Sequence, residues 1–233
     1  MRWTRIIAAV ILVVALAWIR SAPAASTSAR VFSDTGNIFI EQNGKATKLT
    51  SSEMDVDPAL APSGKFVVYT RLGRGRNMRG YEVECNTDPK PDQLRQVNVD
   101  GSGDKILLSG RKGEPDERLC DFRDKQFSSD GRRLYFLTPG WSTSGALHLL
   151  DMRSGAERFI LPANELVVLS FCSGKYKDHL AVLSHRHLLF GGSYDWYWLY
   201  DPSGKKQLGP LGEFDNRDDM LRAAHGTWCA GKP

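Results

Sequence analysis

Long amphipathic helices are absent from this sequence, and so are the compact motifs of common catalysts. No Gly-rich phosphate loop, His-Glu-x-x-His motif or paired-carboxylate constellation occurs. Gly192-Ser193-Tyr194 faintly resembles a nucleophile turn, but Asp195 and Trp196 follow where an elbow needs x-Gly and then a helix. Asp100-Gly101-Ser102-Gly103-Asp104 lacks the ligand series and final Glu of a calcium loop. Cysteine is scarce: Cys85, Cys120, Cys172 and Cys229 are the whole set, and no two stand at zinc-knuckle spacing. His179, His185 and His187 lie close together, with Asp178 as the one nearby carboxylate, and they read better as strand histidines than as a metal set. No catalytic residue, metal or cofactor is therefore nominated.

The chain begins with Arg2 and Arg5, then an uncharged aliphatic run over residues 6–19, then Ser21-Ala22-Pro23-Ala24-Ala25. Positive flank, short apolar core and small-residue site form the pattern of a secretory signal. The run is shorter than the about 20 residues that span a bilayer. The expectation is a signal over residues 1–25, with an uncleaved anchor as the alternative, and a single exported domain over residues 26–233. Basic surplus is missing from that domain. Three of the 31 Lys and Arg (Arg2, Arg5, Arg20) lie in the leader, so 28 remain against 27 acids. Nucleic-acid binding, which needs a basic face, is not expected. Export also gives the four cysteines a meaning: an even number in an oxidising compartment reads as disulfides. Three connectivities are open. Cys85–Cys120 would flank one repeat, and Cys172–Cys229 would tie the chain end to the last one.

What the sequence has in quantity is short strands and tight turns. Asn37 to Glu41, then Asn43-Gly44, then residues 46–50 make a hairpin, because Asn-Gly suits the type I′ turn. Similar hairpins turn at Asp100-Gly101, Ser154-Gly155 and Ser203-Gly204. A second hairpin type precedes each of the last three: Pro62-Ser63-Gly64-Lys65 before Phe66 to Thr70, Ser129-Asp130-Gly131-Arg132 before Leu134 to Thr138, and Ser173-Gly174-Lys175 before Leu180 to Leu183. That gives three four-strand units and an initial half unit. Recurrence at roughly 45–60 residues points to an all-β fold, a small β-propeller of about four four-stranded blades. Residues 218–224 alone look helical. Residues 213–229 could supply one or two strands that close the ring on the chain start; the alternative is an incomplete ring.

The run Asp55-Val56-Asp57-Pro58-Ala59-Leu60-Ala61-Pro62-Ser63-Gly64-Lys65-Phe66-Val67-Val68-Tyr69 resembles the repeat of TolB-like β-propellers, and residues 96–108 and 125–161 match its second half. Ser63 stands where that repeat has Asp, and the fourth unit lacks its Pro and Asp. The resemblance implies protein partners near the periplasmic face of the cell envelope.

Two sets of residues are candidate binding sites. Tyr194, Trp196, Tyr197, Trp198 and Tyr200 form the densest aromatic cluster, and strand alternation places Trp196, Trp198 and Tyr200 on one face with Tyr197 opposite. They fit either a binding surface or the packing between blades. Arg71, Arg74, Arg76 and Arg79 sit in a glycine-rich insertion, where a glycan or anionic polymer could bind, or where the arginines are simply solvated. The expected function is an exported, non-catalytic scaffold for an envelope protein, with a glycan- or anionic-polymer-binding module as alternative.

Overall fold

The computed structural model describes residues 29–73 and 90–229. Fifteen strands follow in chain order: β1 Arg30–Asp34, β2 Asn37–Gln42, β3 Lys45–Lys48, β4 Asp55–Leu60, β5 Phe66–Arg71, β6 Gln93–Asn98, β7 Lys105–Ser109, β8 Arg123–Phe127, β9 Arg133–Thr138, β10 Gly145–Asp151, β11 Glu157–Ala163, β12 Glu165–Val168, β13 Leu180–His187, β14 Ser193–Tyr200 and β15 Gln207–Gly212. A helix, α1 Arg217–Ala223, and a π-helical turn, Ala224–Trp228, end the described chain. The strands form four antiparallel meanders: β1-β2-β3, β4-β5-β6-β7, β8-β9-β10-β11 and β12-β13-β14-β15. This is an all-β propeller architecture of four blades, the first with three strands.

The turns explain the hairpins. Asn43 and Gly44 both take positive φ, 52° and 74°, as a type I′ turn requires. The strands explain the stacking. Val67 and Tyr69 pack with Ile38, Ile40 and Leu49 of the first sheet, whereas Val68 and Leu94 pack with Leu134 and Phe136 of the third. Leu134 and Phe136 face back; Tyr135 and Leu137 face forward, against Leu166, Leu180 and Val182. Inner blades are thus apolar on both faces, and each core lies between two sheets. Burying one such side chain stabilises by about 1.5–3 kcal/mol.

The fourth core lies where a fifth blade would stack. Val167, Leu169, Ala181, Tyr197 and Leu199 are covered by Met220 and Ala224. The expected Cys172–Cys229 bridge forms, with Cα atoms 4.5 Å apart, and fastens this cap to the last blade. Cys120 is buried and carries no free thiol; Cys85, its expected partner, lies outside the described residues, as does the 1–25 leader.

Two sequence expectations need adjusting. Residues 213–229 add no strand to the first sheet, because Asn216 caps a helix there: its Oδ1 accepts from Asp219 N at 3.0 Å, and Asp218 and Asp219 occupy the first turn. Among the described residues the ring is not closed by hydrogen bonds between first and last sheets. The first unit also gains β1, which pairs with β2 from Arg30↔Glu41 to Asp34↔Asn37.

Buried polar links tie blade to blade. Asp57 and Asp124 occupy matching bulges in β4 and β8, both at φ 49°. Asp57 Oδ2 accepts from Lys125 Nζ at 2.6 Å, and that ammonium also donates to Thr70 Oγ1 and the Phe122 carbonyl. Burial pulls the Lys125 ammonium below its usual range, although Asp57 opposes the shift. Asp124 Oδ2 accepts from Leu166 N, while Gln126 exchanges hydrogen bonds with Leu166 O and Val168 N. The third and fourth blades are laced by this amide.

Candidate functional site

Strand direction sorts the connections onto two faces of the stack. The β9–β10, β13–β14 and β5–β6 connections leave one face together, and the chain enters β8 and β12 there as well. The tight turns at Gly64, Gly101, Gly131, Gly155 and Gly204 lie on the opposite face. The opposite face also carries the β12–β13 connection over residues 169–179, so connection length alone does not single out a side; binding residues commonly sit on such connections of a rigid scaffold.

The β13–β14 hairpin projects from the face that also carries the β9–β10 connection. β12 pairs with β13 only from Leu180 to Leu183, and β15 pairs with β14 only from Tyr197 to Tyr200. Residues 184–187 and 193–196 continue as a two-stranded ribbon, paired from Ser184↔Trp196 to His187↔Ser193. Four residues per strand extend roughly 13 Å. At the end, Leu188 N donates to Gly192 O at 3.0 Å and Gly191 N to Leu188 O at 3.2 Å, with Gly191 and Gly192 at φ 98° and 88°. A lone ribbon is marginal in water; side-chain pairs brace this one.

One ribbon face carries Trp196, Trp198 and Tyr200, as alternation predicted, with Tyr197 buried on the other; Arg186 and Tyr194, the latter within β14, share the tryptophan face. The Arg186 guanidinium lies 3.8 Å from the Trp198 ring centroid and donates to Tyr200 Oη at 3.2 Å and Gln207 Oε1 at 2.7 Å. Tyr194 meets Trp196 at 5.2 Å and Trp196 meets Trp198 at 6.4 Å between centroids. Trp198 packs against the core between the third and fourth blades, Trp196 is 37% exposed, and Tyr194, nearer the tip, is half-buried. Ser184 Oγ and Trp198 Nε1, on this same face, are buried without a hydrogen-bond partner among the described residues.

On the reverse face His185 Nδ1 lies 2.9 Å from Asp195 Oδ1, and the His185 and His187 rings meet at 4.9 Å. Asp178 is elsewhere, accepting from Ser129 N and Oγ at 2.6 and 2.8 Å. No cluster of three or more potential metal ligands occurs among the described residues.

Beside the ribbon's base lie two adjoining clefts of ≈ 530 and ≈ 620 Å³ that share Arg123, Gly145 and Asn164. Two of their arginines are paired: Arg217 Nη1 donates to Asp124 Oδ1 at 2.9 Å and Arg123 Nε lies 3.1 Å from Asp121 Oδ2. Glu165 Oε2 accepts from Tyr197 Oη at 2.5 Å, and burial together with that carboxylate pushes the phenol up. Trp141, 42% exposed, stands in the β9–β10 connection at the rim.

Arg71 ends β5 and engages the buried Asp55 with both carboxylate oxygens, at 2.6 and 3.0 Å. The Asp55 hydrogen bond holds its guanidinium well above the ordinary value. Tyr69 Oη and Arg95 Nε both donate to Asp104, at 2.7 and 2.9 Å, extending this network between strands of the second blade. Arg74, Arg76 and Arg79 lie outside the described residues.

One constellation escaped sequence reading. Thr138 Oγ1 is 3.1 Å from His148 Nε2, and His148 Nδ1 is 2.7 Å from Glu157 Oε1. Hydroxyl, imidazole and carboxylate stand in the order of a hydrolase relay. Thr138 and His148 are both 0% exposed, and Thr138 also donates to the Arg118 carbonyl. With no solvent at the hydroxyl, the relay joins β9, β10 and β11. Burial pushes the Glu157 carboxyl up, but His148 and Arg111 outweigh it and hold the group below its usual range.

No protein-family model and no curated protein matches the chain. Among solved structures, it is similar to the β-propeller domain of the trilobed protease from Pyrococcus furiosus, at 13% identity and TM-score 0.48 over 76% of this chain and 48% of that one. It is also similar to a putative TolB from Agrobacterium tumefaciens, at 15% identity and TM-score 0.46 over 76% of this chain and 57% of that one. The chain spans about half the length of these structures.

Proposed function

We propose that this chain is an exported, non-catalytic propeller of TolB-like type that binds a protein partner in the cell envelope. The carrying observation is the shared placement of two exposed tryptophans: Trp141 in the β9–β10 connection and Trp196 in the projecting β13–β14 ribbon lie toward one face. Exposed Trp on a rigid support is the residue most often dominant in protein recognition. The burial of Thr138 and His148, which keeps the Thr138–His148–Glu157 relay from solvent, supports binding over turnover. The leader pattern of residues 1–25 supports export.

The test is a photo-crosslinker placed at Trp141 in living cells. A discrete envelope-protein adduct that vanishes with Trp196→Ala supports the reading. Adducts absent, or indifferent to that substitution, reject it. A second reading is favoured by the Trp196 ring, 37% exposed, with Tyr194 beside it at 5.2 Å between centroids. A glycan would stack a sugar face on Trp196. Quenching of tryptophan emission by envelope glycans, lost in Trp196→Ala, would support it.

A further inference from the structure

The ribbon ends in Leu188, Leu189 and Phe190, which are 54%, 90% and 98% exposed. The other exposed large apolar side chains among the described residues (Ile106, Trp141, Phe171, Trp196 and Leu208) stand singly in sequence. Three consecutive apolar residues at a hydrogen-bonded tip are a feature that folding alone does not explain, since they touch no core.

The chemistry behind the tip is graded. The first rungs below it are His187↔Ser193 and Arg186↔Tyr194, then His185↔Asp195, then Ser184↔Trp196. An apolar end is thus followed by a zone of Tyr, Trp, Arg and His, whose side chains pair an apolar body with a polar or cationic end. This is the order a bilayer interface imposes, with aliphatic and phenyl groups at the acyl boundary and Trp, Tyr and Arg among headgroups. The ribbon beyond the sheet carries one arginine, Arg186, and one carboxylate, Asp195, whose Oδ1 lies 2.9 Å from His185 Nδ1, so no surplus of acidic side chains opposes approach to lipid phosphate.

We propose that the Leu188–Phe190 tip inserts into a lipid surface, with Tyr194, Arg186 and Trp196 at headgroup level. Penetration of about 5–10 Å is the range for such interfacial elements. A buried apolar groove of a protein partner would also accept Leu and Phe, and Trp, Tyr and Arg also serve protein contacts; what favours lipid is their order along the ribbon, three apolar residues at the tip and amphipathic side chains behind it. The inference deepens the envelope reading above and rests on it only for the setting; lipid insertion is measured without any protein partner.

The experiment uses the full chain with Phe190→Cys carrying an environment-sensitive fluorophore, and a control label at Ser63→Cys on the opposite face. Vesicles contain phosphatidylcholine and phosphatidylglycerol in equal parts. The expected result is a blue shift at position 190, quenched by lipids brominated on their acyl chains, with no change at position 63. Adding Leu189→Ser should raise the lipid concentration for half-maximal shift by at least about tenfold, from lost apolar burial. This residue-level readout separates tip insertion from attachment by the apolar leader. A label at 190 that stays in water with vesicles present overturns the proposal. So does a midpoint indifferent to Leu189→Ser, or burial of the label only when envelope protein is added without lipid. In that last outcome the partner-binding reading survives while lipid insertion fails.

Discussion

Removing the Cys172–Cys229 bridge tests how the open end of the stack is finished. The two residues are 57 apart in sequence. Closing a loop of that length restricts the unfolded chain by about 14 cal/mol/K, or about 4 kcal/mol at 25 °C in the chain-entropy account. Alanine is the suitable replacement at both positions, since a serine hydroxyl would enter the apolar cluster formed by Val167, Leu169, Tyr197 and Met220. Cys172→Ala/Cys229→Ala should therefore lose about 4 kcal/mol in urea unfolding. With a denaturant slope of about 2.5 kcal/mol/M, the midpoint falls by roughly 1.5 M. Amide exchange locates the loss: it should accelerate first in α1 and the π-helical turn, which the bridge pins, and later in β13 and β14. A midpoint shift below about 0.3 M, with α1 still protected, would refute the reasoning, because the cap would then be held by Met220 and Ala224 without the bridge.

Three further outcomes follow from buried contacts. Asp57→Ala removes a half-exposed carboxylate from the Lys125 ammonium, whose side chain is 0% exposed, and should lower the thermal midpoint; Lys125→Met, which removes the charge and keeps the volume, should lower it less. Glu157 has a carboxyl below its ordinary value when folded, so its stabilising contribution is present above the unfolded value and lost as pH falls through the folded one. Glu157→Gln should flatten that acid limb of the stability profile, and an unchanged limb would contradict the assignment. Gly36→Ala would place a Cβ 2.1 Å from the Glu53 carbonyl oxygen at φ +70°, so loss of the first blade's protection in amide exchange is expected, whereas Gly44→Ala, with open space around it, should cost only its turn strain.

Strands and turns were legible because two local rules coincide in this chain. Apolar runs such as Val67-Val68-Tyr69 need burial on both faces, and glycine or Asn-Gly at their ends leaves only tight turns between them. Cys172–Cys229 was legible from position within the repeat. β1 was not, since Arg30-Val31-Phe32-Ser33-Asp34 has two apolar residues and draws its order from pairing with β2. The helical cap over residues 217–228 was only half visible: Asn216 and its acidic first turn give the start, but the reason to fold there is the last blade's apolar face. At the site, the shared face of Trp196 and Trp198 followed from alternation, while the His185–Asp195 pair was missed because those two stand opposite only when the hairpin is centred on Phe190, one residue before the Gly191-Gly192 pair that marks the turn in the sequence. Thr138, His148 and Glu157 come together only once β9, β10 and β11 are in register, which no local pattern encodes. Arg71 looked like part of a free basic loop; its commitment to Asp55 depends on the β4–β5 register.

The two ends of the stack are finished by different physics, and the difference bears on where binding can occur. At the first sheet, the outward face holds Phe32 stacked on Phe39 at 5.4 Å, with the Arg30 guanidinium 5.6 Å over Phe32 and Glu41 and Lys48 alongside. Charged neighbours shield a small apolar pair, as a terminal repeat exposed to water requires. At the last sheet, an apolar face is sealed by a helix and a covalent bridge. The blade bearing the projecting ribbon is therefore packed on both faces and cross-linked, whereas among the described residues the first blade has one packed face. A protrusion that engages a partner transmits force and torque to its root, and it keeps its orientation only if that root does not yield. Had the ribbon grown from the first blade, the sheet beneath it would have had a core on one side only. Its position on the fourth blade, with Trp198 anchored in one core and Tyr197 in the other, makes an exposed tip of Leu188, Leu189 and Phe190 compatible with a fixed direction of approach.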